Sequence, residues 1–246
     1  MEEVNDLIPG KLQIIQDTDY FKFGTDSVLL ANFVKVKDGE SVVDLGSGSG
    51  VIPLLLAFKQ KPGRVIGLEI LPELVQLSKK SARMNGLEEI IEFIEGDIKE
   101  IDDYIELESV DLVVCNPPYM PPDKGKITKN REKAIARHEI LITLKDVIKQ
   151  GSRVLRLGGR MAMVHRTWRL PEIITLMREN KLEPKRLCFV QSRENLNPKT
   201  VLIEAKKGGG LGLEVEPNLV VYKGNTQEYT DTVKRMYGYS GDDYNE

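Results

Sequence analysis

The sequence predicts a doubly wound α/β fold: a seven-stranded, mostly parallel sheet that ends in a C-terminal antiparallel hairpin, with helices on both faces. Three observations predict it. From residue 41 onward, short runs rich in Val and Ile alternate with helical patterns, the order that builds βαβ units. A glycine turn, Asp44-Leu-Gly46-Ser47-Gly48-Ser-Gly50, stands where the first run passes into its helix, the place where such sheets receive a ligand. The last two runs are separated only by the turn-rich residues 192–199, too few for a crossover helix, so they must pair antiparallel.

Residues 41–45 form strand one, and 51–58 the helix after the glycines, with Pro53 in its first turn where no intrahelical donor is lost. Residues 64–69 form strand two, followed by a helix that Pro72 opens, Asn85-Gly86 closes, and Leu74, Leu77 and Ala82 line on one side. Strand three, 91–95, runs into Gly96-Asp97; strand four, 111–115, runs into Asn116. Leu141, Leu144, Ile148 and Leu155 have helical spacing up to Gly158-Gly159, and strand five follows at 161–164. After a helix at 170–177, strands six (186–190) and seven (200–205) make the hairpin. Three segments result: a lead-in with a helix that packs on the ligand site (1–40), a core (41–206), and a partly flexible tail (207–246). The tail begins at the hinge Gly208-Gly209-Gly210 and carries an apolar run at 219–222 and an amphipathic stretch at 229–237.

No apolar run approaches the ~20 residues that cross a bilayer, and the acidic start lacks a signal peptide's basic residues, so a soluble, cytoplasmic protein is expected. Cys115 and Cys188 lie in separate strand-like runs without metal-ligand spacing, which argues against a structural metal and for a buried, inert role. The net charge of −3 hides a division: −11 over residues 1–119, +12 over 120–207 and −4 thereafter. Lys124, Lys126, Lys129, Arg131, Lys133 and Arg137 follow strand four and mark a site for a polyanion, the alternative being a solvated helix face. Arg160, Arg166, Arg169, Lys185, Arg186 and Arg193 would extend the track.

Carboxylates close strands one, two and three. Glu69 suits the hydroxyls of a ribose, Asp97 suits an adenine amino group, and Asp44 places negative charge beside the glycine turn, favourable for an ammonium and unfavourable for a diphosphate. That set fits S-adenosylmethionine better than a dinucleotide, with Ile70 and Ile98 beside two of the carboxylates as further cofactor contacts. Each acid has a plainer alternative as a helix cap or solvent-facing strand end.

With these elements in place, residues 20–206 resemble the class I, Rossmann-like methyltransferases. Asn116-Pro117-Pro118-Tyr119 after strand four resembles the reactive motif of amino-methyltransferases, which act on adenine N6, guanine N2 or a glutamine nitrogen. The run Phe21-Lys-Phe23-Gly-Thr25-Asp26-Ser-Val-Leu-Leu-Ala31 resembles the tRNA1(Val) adenine-N6 methyltransferase family. That resemblance implies tRNA as partner, an adenine next to the anticodon as target, and Phe23, Thr25 and Asp26 at the methionine end of the cofactor. Thr25 equally suits a helix cap above Val28, Leu29 and Phe33.

The reactive motif has a chemical rationale. The lone pair of an exocyclic amine is delocalised into its ring, so the nitrogen is a poor nucleophile. The Asn116 side-chain oxygen and the Pro117 carbonyl can each accept one amino hydrogen and aim the lone pair at a methyl donor. Successive prolines fix the backbone in advance, and Tyr119 would stack on the base, an interaction worth ~1–3 kcal/mol. His138, His165 and Trp168 are assigned capping or packing roles. Glutamine or guanine methylation and a non-catalytic cofactor- and RNA-binding module remain alternatives.

Overall fold

The computed structural model describes residues 1–18, 20, 23–119 and 142–239. The polyanion cluster Lys124, Lys126, Lys129, Arg131, Lys133 and Arg137, together with His138 and Leu141, lies outside the described residues. Ten strands are seen among those described. β1 (Glu2–Ile8) and β2 (Leu12–Asp17) form a separate antiparallel hairpin, and α1 (Thr25–Phe33) leads into the main sheet. Then come β3 (Ser41–Leu45), α2 (Val51–Lys59), β4 (Arg64–Glu69), α3 (Pro72–Met84), β5 (Ile91–Glu95), a 3-10 turn (Ile98–Asp103) and β6 (Val110–Cys115). After α4 (Leu144–Val154) follow β7 (Leu155–Arg166), a 3-10 turn (Thr167–Arg169), α5 (Leu170–Glu179), β8 (Leu182–Gln191), β9 (Thr200–Lys207), β10 (Glu214–Val220) and α6 (Asp231–Met236).

The main sheet runs β10-β8-β9-β7-β6-β3-β4-β5, parallel except for β9, which is antiparallel to both neighbours. The chain leaves β3 for β4 and β5 on one side and returns for β6 and β7 on the other. The crevice between the β3 and β6 ends is therefore the switch point at which α/β sheets bind ligands. Two apolar clusters fill the faces: α1, α2, α3 and the hairpin cover one, α4 and α5 the other.

Eight strands stand in this sheet where seven are expected, because the tail supplies the last. Residues 214–220 pair in parallel with β8 at the sheet edge, and the register slips between Glu216 and Leu219, around Pro217. A proline inside a mostly exposed run hides an edge strand from pattern reading. The chain then returns over α1, where Val233 of α6 is fully buried and Lys59 Nζ donates to the Met236 carbonyl. The expected helix through Leu155 is also shorter: it ends at Val154. Leu155 pairs with Val110 and Arg160 with Leu112, so the residues between bulge out, with Gly158 at φ 82°. The apolar spacing is genuine, but Leu155 is buried against β6 as a strand residue.

Candidate active site

The glycine turn is built by its own backbone and by Glu69. Gly46 and Ser47 donate to the Leu68 carbonyl at 2.8 and 3.0 Å, and Gly50 donates to Ser47 at 2.9 Å. Gly50 sits at φ 85°, and a Cβ there would lie 2.7 Å from the Phe93 ring, so no other residue fits. Gly48 has φ 54° and open space where a side chain would be, the geometry for close approach of a ligand to the main chain.

Glu69, 8 % exposed, accepts from the backbone N–H of Gly48 at 2.8 Å and of Leu71 at 3.0 Å, with Ile70 as a third donor. Burial raises its pKa and the backbone donors oppose that rise. Of about four acceptor positions on the carboxylate, one braces the turn through Gly48 and two hold the chain that follows Glu69, leaving room for one more strong donor.

Asp44 contrasts with it. The side chain is 1 % exposed, and neither oxygen has a hydrogen-bond partner among the described residues. Burial, with a smaller contribution from the charge of Glu69, pushes its pKa well above the carboxylate range. Leaving such a group unsatisfied costs ~1–3 kcal/mol or more, and a cation or donor brought to it relieves that cost. The Ser47 hydroxyl is likewise buried without a partner. Asp97 caps the following 3-10 turn through Lys99 N at 2.9 Å, so its plainer alternative is present. Ile98 is buried, its Cδ1 4.0 Å from the Cβ position of Gly46.

Across the switch point, Asp44 pairs in register with Val114, and the Cys115 thiol donates to the Leu45 carbonyl at 3.0 Å. Burial raises the Cys115 pKa well above that of a free thiol, which makes it inert. The chain leaves β6 at Asn116, beside the glycine turn. Asn116 Nδ2 donates to the Ser27 hydroxyl of α1 at 2.9 Å, and its Oδ1 faces the Tyr119 hydroxyl at 2.6 Å. That hydroxyl lies 2.8 Å from Asp26 Oδ2. Arg166, at the end of β7, stands 3.9 Å from Asp26 Oδ2, and its guanidinium lies 4.4 Å from the Tyr119 ring centroid. The His165 ring approaches the same tyrosine at 5.2 Å, tilted 57°. The expected stacking surface of Tyr119 is therefore partly covered by Arg166 and His165. Burial, then the Asp26 charge, hold the Tyr119 hydroxyl well above its usual pKa.

Thr25 does not cap α1; Gly24 holds the cap position without a side-chain bond, and Thr25 Oγ1 lies 3.4 Å from the Tyr229 hydroxyl. Tyr222, Tyr229 and Tyr237 stack in sequence, with centroids 5.3 and 5.2 Å apart, so the tail buttresses the helix that carries Asp26 and Ser27. Phe23 is half-buried against the same core.

Sequence reasoning missed Ser27, gave Arg166 only a place in the basic track, and gave His165 a packing role, which its burial against Tyr119 matches. His165 is fully buried, its Nδ1 accepts from Arg166 N at 2.8 Å, and its Nε2 has no partner among the described residues. Burial, then Arg169 and Arg166, push its pKa down to about 3, so it is neutral with the proton on Nε2. The extended basic track fares differently from expectation. Arg160 pairs with Glu40 and Glu204, Arg186 with Glu204 and Glu216, Arg169 with Glu172, and Lys185 and Arg193 donate to backbone carbonyls. Counting charges along the chain could not show that acids on neighbouring strands pair with Arg160 and Arg186. A depression of about 480 Å³ between Leu107, Arg153 and Lys181 lies at the other end of the strands, away from this chemistry. Among the described residues, no helix is long and apolar enough to cross a membrane, and no group of His, Cys, Asp and Glu could hold a metal ion.

Comparison with known proteins places this geometry. Residues 36–208 match the family model described as a methyltransferase domain. The tRNA1(Val) (adenine(37)-N6)-methyltransferase of Porphyromonas gingivalis is 29 % identical over 189 residues, covering 74 % of this chain and 73 % of that one. The protein of the same name from Parabacteroides distasonis is 26 % identical over 236 residues, covering 92 % and 95 %. Among solved structures, a predicted O-methyltransferase from Agrobacterium tumefaciens superposes with TM-score 0.69 at 20 % identity, covering 87 % of this chain and 95 % of that one. Geranyl diphosphate C-methyltransferase from Streptomyces coelicolor, solved with S-adenosyl-L-homocysteine, gives 0.55 at 15 % identity, covering 74 % of each chain. A glycine turn braced by Glu69, a buried carboxylate without a hydrogen-bond partner among the described residues and the loop that begins at Asn116 after the adjacent strand thus meet at one switch point, and the chain belongs to the methyltransferase domain family.

Proposed function

We propose that this protein transfers a methyl group from S-adenosylmethionine to the exocyclic N6 nitrogen of an adenine in tRNA, at an unpaired position of the anticodon loop. The observation that carries it is the buried Asp44 carboxylate, without a hydrogen-bond partner among the described residues and one strand away from Asn116. Relatives across most of the chain bear the name of that reaction.

The residues fit the cofactor. Asp44 would receive a cationic or N–H group, Gly46 and Gly48 allow the ligand against the main chain, Glu69 keeps one acceptor position for a ribose hydroxyl, and Asp97 and Ile98 would border the adenine. Bound there, S-adenosylmethionine supplies the activated methyl group. Asn116 Oδ1 and the Pro117 carbonyl would accept the two amino hydrogens, and the prolines hold those acceptors in place. No strong base is needed, because the amine loses its proton only as its nitrogen becomes positive. A target base must leave its stack, least costly in a single-stranded loop, and the basic residues 124–137 would hold the flanking phosphates.

Methyl transfer from labelled S-adenosylmethionine to unmodified total tRNA, with nucleoside analysis, tests this. N6-methyladenosine that disappears with Asn116→Ala is the expected result. Label in guanosine or only in protein would overturn the substrate, and cofactor binding without any transfer would leave a binding module.

A further inference from the structure

The Tyr119 hydroxyl has one proton and two oxygens competing for it, Asp26 Oδ2 at 2.8 Å and Asn116 Oδ1 at 2.6 Å. The two are unequal. A carboxylate forms charge-assisted hydrogen bonds roughly twice as strong as those of a neutral amide. The carboxylate of Asp26 is therefore the stronger of the two acceptors for the Tyr119 proton, and Asn116 Oδ1, although nearer at 2.6 Å, is the weaker. We infer that Asp26 is a positioning residue: by holding the Tyr119 proton it leaves Asn116 Oδ1 open as an acceptor for the N–H of the target amine. This rests on the amino-methyltransferase reading above.

The groups around the pair serve the same end. Ser27, next along α1, accepts from Asn116 Nδ2 at 2.9 Å, which turns the amide oxygen toward Tyr119 and the site. Arg166 comes from β7 and lies 3.9 Å from Asp26 Oδ2 and 4.4 Å from the Tyr119 ring centroid, so it holds carboxylate and phenol together. An amine that donates to Asn116 Oδ1 uses a lone pair of the amide oxygen, and the Tyr119–Asp26 bond stays intact. The role differs from a contact with the methionine end of the cofactor, since it acts on the reactive loop through Tyr119.

The test is steady-state methyl transfer to unmodified tRNA by the wild type, Asp26→Asn, and Asp26→Asn combined with Tyr119→Phe. With Asn at position 26, the Tyr119 proton passes to Asn116 Oδ1 and occupies it. The expected result is a fall in kcat of about tenfold or more with the KM for S-adenosylmethionine within about twofold. The added Tyr119→Phe removes the competing donor and raises kcat above that of Asp26→Asn alone. A raised cofactor KM with unchanged kcat would make Asp26 a cofactor ligand, and failure of Tyr119→Phe to recover rate would equally overturn the inference. An unaffected kcat would show that the amide sits the other way round, with Oδ1 on Ser27, and would overturn it too. Asp26→Ala carries the same expectations if the Asn variant melts early. A wild type that makes no N6-methyladenosine overturns the proposed function, whereas an active wild type without the recovery overturns only this inference.

Discussion

The two halves of the site are held in different ways. The glycine turn is fixed by its own main chain and by a carboxylate on the next strand: Leu68, Gly48, Ile70 and Leu71 all act through backbone groups. The loop from Asn116 to Tyr119 is fixed by side chains from distant elements, Ser27 and Asp26 from α1 and Arg166 from β7. One half is a local motif with a backbone scaffold. The other is a junction that exists only when α1, β6 and β7 have come together, and the tail packs on α1 behind it.

The largest test of that division is Asn116→Ala. It should lower kcat by about a hundredfold or more, as loss of a group that acts in the transition state does, while cofactor affinity measured by calorimetry stays near wild type. Failure of cofactor binding in the same variant would mean that the halves are not separable. Next is Asp44→Asn, expected to weaken cofactor binding by about tenfold or more while the ligand-free Tm stays within a few degrees of wild type, because an acid that burial already drives toward its neutral form is exchanged for a neutral amide of the same shape. A lower Tm would show that Asp44 is a structural acid. Gly50→Ala probes the scaffold itself: a left-handed backbone and the overlap with Phe93 should cost about 2–4 kcal/mol, on the order of 10 °C in Tm, read by thermal melting.

A last expected effect concerns pH. His165 titrates at about 3 in the folded protein against 6.5 for the free side chain, so the unfolded chain takes up its proton first as pH falls. Stability present above pH 6.5 is then lost toward pH 3 by about 1.4 kcal/mol per unit. His165→Asn should flatten the acid limb of a Tm profile between pH 7 and 4.5. An unchanged slope would place the acid sensitivity elsewhere, in the carboxylates.

Much of the fold was open to inspection in the chain because its signals are local. Alternating apolar runs, Pro53 and Pro72 in first turns, and the spacing of glycines each act over a few residues, and they set the order β3 to β9 and the strand ends where Asp44, Glu69, Asp97 and Asn116 stand. Phe93 closing over Gly50 explains why that turn must have its glycine, yet the sequence alone already required one there.

Other features depend on partners far apart in sequence. β10 carries Pro217 and an exposed pattern, so only the free edge of β8 makes it a strand. Arg160 and Arg186 count as positive charge along the chain, but Glu204 between them on β9, with Glu40 and Glu216, neutralises them in the fold. Ser27 looks like one more small residue in a helix until β6 brings Asn116 within 2.9 Å of it. The sequence by itself determined which residue types meet at the switch point, because hydrophobic period and turn chemistry act locally. Only the tertiary structure decided which hydrogen each oxygen receives, because that depends on distances between elements more than eighty residues apart, such as the 89 separating Ser27 from Asn116.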